Sequence, residues 1–141
     1  MGLTEADARV FLTEGMLSAD LEDHGEAIEN FDKALQIIEN AEIYLNKGIS
    51  LSELERFEEA LECYEKATNI APNDSLIWYN KGVVLTDLER FDDAILNYEK
   101  AIEIQADYAD AWYNKAELLK HNGLEDEANN CFDKVKEIEG N

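Results

Sequence analysis

The sequence has few residues that interrupt helices. It contains one proline and seven glycines among its 141 residues. Because these residues most often end a helix, their scarcity favours long helices over many short strands. No segment approaches the roughly 18 consecutive apolar residues of a membrane-spanning helix. Residues 1–12, MGLTEADARVFL, carry acidic residues early and have no uninterrupted apolar run, which argues against a signal peptide. We therefore expect a soluble, cytoplasmic protein.

Basic residues are also scarce. Twelve Lys and Arg residues stand against 33 Asp and Glu residues, which gives a formal net charge of −21. This charge repels nucleic-acid phosphates and anionic lipid headgroups. We therefore expect neither nucleic acid nor a membrane as a partner, and a cationic partner is favoured. The alternative is that the charge serves only solubility, or life at high internal salt.

Residues for metal binding or catalysis are not grouped along the chain. The two cysteines, Cys63 and Cys131, have no CxxC spacing and no histidine at the spacing of a metal ligand, so a zinc site is not expected. Acidic residues abound, but no cluster stands apart as a nucleophile or an acid–base pair. We expect no enzymatic activity, no metal and no cofactor.

Short motifs recur at a nearly constant spacing. WYNKG at 78–82 returns as WYNKA at 112–116 and as YLNKG at 44–48, and LERFEEA at 54–60 returns as LERFDDA at 88–94. The steps between equivalent residues are 33, 34 and 34, and a period in this range is typical of stacked helical repeats. Four units of about 8–40, 41–74, 75–108 and 109–141 fill the chain, and residues 1–7 extend the first helix. We expect residues 1–141 to form a single domain.

Each unit is predicted to form two antiparallel helices. In the third unit, IWYNKGVVLTDL and FDDAILNYEKAIEI both have apolar residues at helical spacing, with a tight turn near Glu89. Small residues recur where the paired helices must approach, with Gly82 on the first helix and Ala94 on the second. Thr4 and Asp7 have the spacing of a capping box at the start of the first helix. The sequence thus predicts an all-α fold.

This pattern resembles the tetratricopeptide repeat across about residues 8–141. The aromatic and small positions agree in four consecutive units, with Ala116 in place of the glycine in the fourth. The resemblance implies a right-handed α-solenoid of antiparallel helix pairs, the tetratricopeptide superhelix. It also implies a concave groove lined by the first helix of each pair.

One side of each first helix is predicted to face this groove, opposite the packing residues, at about 100° of rotation per residue. In the family, an asparagine at the position of Asn46, Asn80 and Asn114 commonly holds the backbone of an extended peptide. A side-chain amide suits this role because it can both donate to and accept from a peptide unit. The alternative is an asparagine that hydrogen-bonds between neighbouring helices. The other candidate residues of the peptide-binding groove are Leu12, Met16, Leu45, Ile49, Tyr79, Val83, Tyr113, Asp87 and Glu117.

Three lysines lie beside these asparagines, at a position where the family usually has leucine: Lys47, Lys81 and Lys115. Their neighbours four residues away are apolar. We therefore expect each lysine stem to lie along the helix seam and each ammonium group to reach a carboxylate.

The sequence predicts a protein–protein interaction adaptor that binds a peptide segment in the concave groove. An apolar and aromatic floor surrounded by carboxylates favours a segment with apolar anchors and Lys or Arg. The alternative is a structural scaffold subunit that docks through convex or end surfaces, or that self-associates, with the groove unused. We expect a monomer, with weak homo-oligomers as the alternative. Asn129 and Lys136 are polar where earlier units are mostly apolar, so we expect them to cap the array after four units.

Overall fold

The computed structural model describes residues 2–140, and this part of the chain contains eight α-helices and no strand. The helices are α1 (Glu5–Asp20), α2 (His24–Leu35), α3 (Ala41–Glu53), α4 (Phe57–Ile70), α5 (Ser75–Asp87), α6 (Phe91–Ile104), α7 (Ala109–His121) and α8 (Glu125–Glu139). The predicted all-α fold is confirmed. None of these helices is long and apolar enough to cross a membrane.

The helices form four packed pairs: α1 with α2, α3 with α4, α5 with α6, and α7 with α8. The chain divides into two compact units, Met1–Pro72 and Asn73–Asn141, which we call the N-terminal unit and the C-terminal unit. Within each unit the second helix of the first pair also packs on the next first helix, so that α2 contacts α3 and α6 contacts α7. This neighbour-to-neighbour packing is characteristic of stacked repeats. The single-domain organisation of residues 1–141 stays a prediction.

A three-residue turn joins the two helices of each pair, and its middle residue has a positive φ. Glu22, Glu55 and Glu89 hold this position with φ of 61°, 58° and 58°, and Gly123 holds it with φ of 81°. The left-handed region is unfavourable for a residue with a Cβ and readily accessible to glycine. The fourth pair therefore has the residue that suits the turn, and the first three carry backbone strain there.

Three glycines lie where the paired helices approach each other: Gly15, Gly48 and Gly82. A Cβ at these positions would be 2.5, 2.5 and 2.6 Å from an aromatic ring of the second helix, belonging to Phe31, Tyr64 and Tyr98 respectively. Ala94 is fully buried on the helix that faces Gly82. The predicted close approach of small residues is confirmed, and it leaves the aromatic rings as the main filling of each pair.

The first helix begins with the predicted capping box. The Thr4 N–H donates to Asp7 Oδ2 at 2.6 Å, the Thr4 hydroxyl donates to the same oxygen at 2.9 Å, and the Asp7 N–H donates to Thr4 Oγ1 at 3.4 Å. These two bonds from Thr4 hold the pKa of Asp7 below its usual value, and the bond from the backbone N–H has the larger effect. The sequence prediction for this helix end is confirmed.

Two of the three lysines of the repeat reach a carboxylate on a neighbouring helix. Lys47 Nζ is 2.6 Å from Asp32 Oδ1 on α2, and Lys115 Nζ is 3.9 Å from Glu99 Oε2 on α6. The prediction that the ammonium group reaches a carboxylate is therefore confirmed for these two. Lys81 Nζ instead lies 5.4 Å from the centroid of the Trp78 ring, a cation–π contact that was not predicted.

Candidate functional site

The candidate residues of the C-terminal unit lie on its two first helices, α5 and α7. Tyr79, Asn80 and Val83 on α5 are half-buried, and Tyr113 on α7 is exposed. Asn114 Nδ2 donates a hydrogen bond of 3.1 Å to the Tyr79 hydroxyl and so links the two helices. The structure therefore brings these candidates together on one surface, which we call the α5–α7 face.

Tyr79 is the centre of an aromatic cluster on this face. Its ring stacks on that of Tyr108 with centroids 5.0 Å apart, and it lies 5.8 Å from the ring of Tyr98. Burial raises the pKa of all three phenols, and neighbouring negative charges help to raise the pKa of Tyr108 to about 12. The three hydroxyls therefore stay neutral near pH 7, where each can both donate and accept a hydrogen bond.

A cavity of about 170 Å³ adjoins the cluster and is lined by Val83, Thr86, Asp87, Tyr98, Asn114, Glu117 and Leu118. One carboxylate comes from each first helix, Asp87 from α5 and Glu117 from α7. Hydroxyl and amide oxygens add further acceptors. Pockets for drug-sized molecules exceed about 300 Å³, so this volume suits a single side chain better. The acceptors favour a cationic donor such as a guanidinium or an ammonium group.

The candidate residues of the N-terminal unit differ in their exposure. Leu12 on α1 and Leu45 on α3 are buried, so they pack in the interior of the unit and present little surface to a partner. Met16 is exposed, and Asn46 and Ile49 are half-buried. The accessible part of the candidate surface in this unit is therefore these last three residues.

The N-terminal unit has a cavity of about 380 Å³ near the start of α1 and α3. It is lined by Glu5, Ala6, Ala8, Arg9, Leu12, Ile38, Asn40 and Ile43. Leu12 is the one predicted site residue among them. Because Glu5 and Arg9 bring charges of opposite sign, the cavity has no preference for one sign of ligand charge. It therefore points to no particular class of ligand.

The three asparagines make two kinds of hydrogen bond. Asn46 Nδ2 donates to the Glu42 carbonyl at 2.8 Å, and Asn80 Nδ2 donates to the Leu76 carbonyl at 2.9 Å, each one turn earlier in the same helix. Asn114 makes the contact between helices that the alternative interpretation describes. Because an amide has two N–H donors and a carbonyl oxygen, Asn46 and Asn80 retain hydrogen-bonding capacity for a partner.

Sequence reasoning does not single out two residues of the aromatic cluster, Tyr98 and Tyr108. The repeat position of Tyr98 marks it as a packing residue, and nothing in that pattern shows that it also lines the cavity. Tyr108 occupies the position at which Asn40 and Asp74 cap α3 and α5, and it makes no such side-chain bond to α7. This departure from the pattern of the other units is the signal that could have revealed it.

The two thiols do not form a reactive site. Cys63 and Cys131 are both buried and free. Burial raises the pKa of each thiol, so the thiolate is disfavoured at neutral pH. Across residues 2–140, no group of three or more His, Cys, Asp or Glu side chains is placed to hold a metal ion.

Models of one repeat family match almost the whole chain. Models described as tetratricopeptide repeat match residues 8–40, 41–74, 63–95 and 109–141, and one described as TPR repeat matches residues 84–123. Together the matches run from residue 8 to residue 141. No curated protein matches the sequence.

Several solved structures share the fold. A crystal structure of MamA is 25% identical, with a TM-score of 0.92 over 95% of this chain and 79% of that chain. MamA from Desulfovibrio magneticus RS-1 is 23% identical, with a TM-score of 0.89 over 94% of this chain and 76% of that chain. YrrB, described as a TPR protein with an unusual peptide-binding site, is 25% identical, with a TM-score of 0.85 over 95% of this chain and 70% of that chain. The helix pairs, the repeat matches and these likenesses agree, and the chain belongs to the tetratricopeptide repeat family.

Proposed function

We propose that the chain is a protein–protein interaction adaptor that binds a peptide segment with basic and apolar side chains on its α5–α7 face. The tetratricopeptide fold supports the general part of this function, because such repeats are generally non-catalytic interaction modules. The peptide, its charge and the residues that hold it are the parts that we propose.

The observation that carries the proposal is the cavity between Asp87 and Glu117. A Lys or Arg side chain of the peptide would place its cationic end near the two carboxylates, which accept charge-assisted hydrogen bonds. Its aliphatic stem would lie against the half-buried Val83, as the stems of long cationic side chains commonly do on apolar surface. The net charge of −21 would favour the approach of such a peptide.

Apolar anchors have a separate place on the same face. Tyr113 and Leu76 are exposed large side chains, and Tyr79 lies half-buried between their helices. Tyrosine is frequent at binding hot spots because it offers a large, rigid contact area with a polar end. We expect the apolar residues of the peptide to contact these three side chains and its backbone to bond with Asn80.

The similarity to YrrB supports a peptide as the class of partner. That protein is described as having a peptide-binding site, and 95% of the present chain aligns with it. Fold alone does not carry a partner from one protein to another, so the chemistry of the peptide rests on the residues of this chain.

A peptide-library selection on the immobilised chain tests this function. We expect enrichment of peptides that combine Lys or Arg with apolar residues. The double variant Asp87→Asn/Glu117→Gln should lower the affinity for an enriched peptide roughly ten-fold, because two charge pairs worth about 0.2–1 kcal/mol each are removed. The variant Asn80→Ala should weaken binding without a preference for peptide charge, since its amide is proposed to contact backbone.

The matched control removes two exposed carboxylates from the first turn of α8, Asp126→Asn/Glu127→Gln. This control has the same net charge as the test variant, so it isolates the place of the charges from their number. Equal losses of affinity in the two double variants would show that only the diffuse field attracts the peptide. Enrichment of acidic peptides, or of none, would reject the proposed function.

A further inference from the structure

Three aliphatic side chains form an exposed stripe along α1. Val10 is 54% exposed, Leu17 is 58% exposed, and Leu21, which directly follows the helix, is 82% exposed. Leu17 and Leu21 are 7 and 11 residues from Val10, a spacing that places all three on one side of an α-helix. Ala8 and Leu12 lie about 160° away around the helix and are buried. The α1 stripe, as we call these three residues, is therefore on the side opposite the core.

The same positions are covered by a neighbouring helix in α3 of the N-terminal unit and in α7 of the C-terminal unit. Val10 and Leu17 correspond to Ile43 and Ser50 on α3, which are 2% and 1% exposed. They are buried because α2 packs on α3. In α7, which α6 covers in the same way, the corresponding residues are also buried: Ala111 and Leu118. The α1 stripe thus has the position on its helix at which a second helix docks elsewhere in this protein.

A charged residue lies between the two positions on each of these helices, and its sign differs between α1 and the covered helices. In α3 and α7 the position holds Lys47 and Lys115, which pair with Asp32 and Glu99 of the covering helix at 2.6 and 3.9 Å. In α1 the equivalent residue is Glu14. The sign is reversed, so a helix that covers α1 meets a carboxylate where α2 and α6 meet an ammonium group.

We propose that the α1 stripe docks a helix of a second protein, one with an apolar side against Val10 and Leu17 and a Lys or Arg opposite Glu14. The covered faces of α3 and α7 indicate a helix as the occupant, and the charge reversal indicates a basic one. Within residues 5–20, Arg9 is the one basic residue against four carboxylates, and from α2 Lys33 Nζ lies 5.7 Å from the centroid of the Phe11 ring.

A second copy of this chain suits the stripe poorly. In a head-to-tail arrangement, α8 of another copy would cover α1. It would bring Asp133, the equivalent of Glu99, towards Glu14, and these two negative charges would repel each other. It would also present Asn129 at the place where α6 presents the packed residue Ile95. The surface therefore selects against copies of its own chain and favours a different protein.

A matched pair of peptides tests the proposal against the full chain. The probe is a fluorescent copy of residues 91–104, the sequence of α6, with Glu99→Lys, and its partner is the same peptide with Glu99 retained. A cross-link between positions 93 and 97 holds both helical, because isolated helices of this length are marginal in water. These positions lie about 160° from Ile95, away from the docking side. We expect the Glu99→Lys peptide to bind about ten-fold more tightly in fluorescence anisotropy, since one like-charge contact becomes an attractive one.

Protein variants then locate the binding. Leu17→Ser should weaken binding of the Glu99→Lys peptide about ten-fold, and Leu96→Ser, at a similarly exposed leucine of α6, should leave it unchanged. The double variant Asp87→Asn/Glu117→Gln should also leave it unchanged, so failure of this proposal and failure of the proposed function are distinguishable. Circular dichroism verifies that each variant keeps its helical content.

Four results would overturn the proposal. The first is no binding of the Glu99→Lys peptide at concentrations up to about 1 mM. The second is equal affinity of the two peptides, and the third is an equal loss of affinity in Leu17→Ser and Leu96→Ser. The fourth, by analytical ultracentrifugation, is a homodimer that Leu17→Ser abolishes. The last result would make a second copy the occupant of the stripe.

Discussion

At the scale of single residues, the packing of the helix pairs depends on glycines, which have no Cβ. A Cβ at Gly48 would be 2.5 Å from the ring of Tyr64. In the fourth pair the equivalent residue is Ala116, which is fully buried, and the equivalent ring, Phe132, is only half-buried and contacts Tyr113 edge-on at 5.7 Å. The sequence difference between glycine and alanine thus accompanies a difference in how deeply the ring packs.

Replacing Gly48 by alanine should therefore destabilise the protein. We expect a loss of about 1–3 kcal/mol in the free energy of unfolding, because an added methyl group overpacks a fixed ring. The measurement is urea unfolding followed by circular dichroism. Gly25→Ala is the control, because a Cβ there meets only Asp23 Oδ1, at 3.9 Å. It should be neutral or stabilising, since alanine favours a helix over glycine by about 1 kcal/mol. Equal destabilisation by both substitutions would contradict the packing explanation.

Two tyrosines should make the stability of the fold depend on pH. Burial raises the pKa of Tyr44 to about 12, and so does the hydrogen bond of 2.6 Å that its hydroxyl donates to Glu39 Oε1. Burial is likewise the first cause of the pKa of about 12 at Tyr108. Because both folded pKa values lie above the unfolded value of about 10, the stabilisation is fully present below pH 10 and is lost as the pH rises towards 12.

The expected result is a free energy of unfolding that falls between about pH 10 and pH 12. Tyr44→Phe and Tyr108→Phe should each make this fall shallower, as measured by urea unfolding at a series of pH values. Tyr113→Phe, which changes an exposed tyrosine, is the matched control. A fall that is the same in all three variants would show that other groups cause the alkaline loss.

At the scale of helices and turns, the same three-residue turn occurs four times, with glutamate at its middle position in three turns and glycine in one. Glu22, Glu55 and Glu89 adopt a positive φ in the first three turns, and Gly123 does so in the fourth. A residue with a Cβ costs about 1–2 kcal/mol in that region relative to glycine. The first three turns are therefore places at which the sequence is not the most stable one for its structure.

Glu89→Gly should stabilise the protein for this reason. The relief of backbone strain exceeds the entropy that glycine adds to the unfolded chain, and we expect a net gain of about 0.5–1 kcal/mol. Thermal and urea unfolding measure it. The control is Glu62→Gly, an exposed position in the middle of α4, where the same substitution should cost about 1 kcal/mol. If both substitutions destabilise the protein, strain at the turn is not the dominant effect.

At the scale of the whole molecule, the dominant property is the net charge of −21. Its self-repulsion opposes the compact state, and salt screens it, since the Debye length shortens from about 30 Å at 0.01 M to about 3 Å at 1 M. The same screening weakens the attraction of a basic peptide. Stability and partner binding should therefore respond to salt in opposite directions.

We expect the Tm to rise as sodium chloride increases from about 0.01 M to 0.5 M, and the affinity for a basic peptide to fall over the same range. Thermal unfolding and fluorescence anisotropy measure the two quantities in the same buffers. An uncharged osmolyte at matched osmolality is the control and should leave the affinity largely unchanged. A Tm that does not change with salt would show that repulsion among the carboxylates is not a large part of the stability.

The all-α repeat, the helix pairs and the small residues at their contacts could all be predicted from the sequence. These features follow from periodicity along the chain: spacing at helical intervals marks a packed side, and a period of 34 residues repeats the same packing problem. The capping box at Thr4 and Asp7 was predictable for the same reason, because its partners are three residues apart. Such information is local, and a single sequence contains it.

Which of the candidate side chains are exposed, and which contact one another, became clear from the folded structure. Leu12 and Leu45 have the repeat positions of groove residues, yet neighbouring helices bury them. Asn114 has the same position as Asn80, yet it bonds to Tyr79, a residue 35 positions away. Val10 is apolar like its buried equivalents, yet it is exposed. The physical reason is that burial depends on what lies across from a helix, and helical periodicity describes only the helix itself.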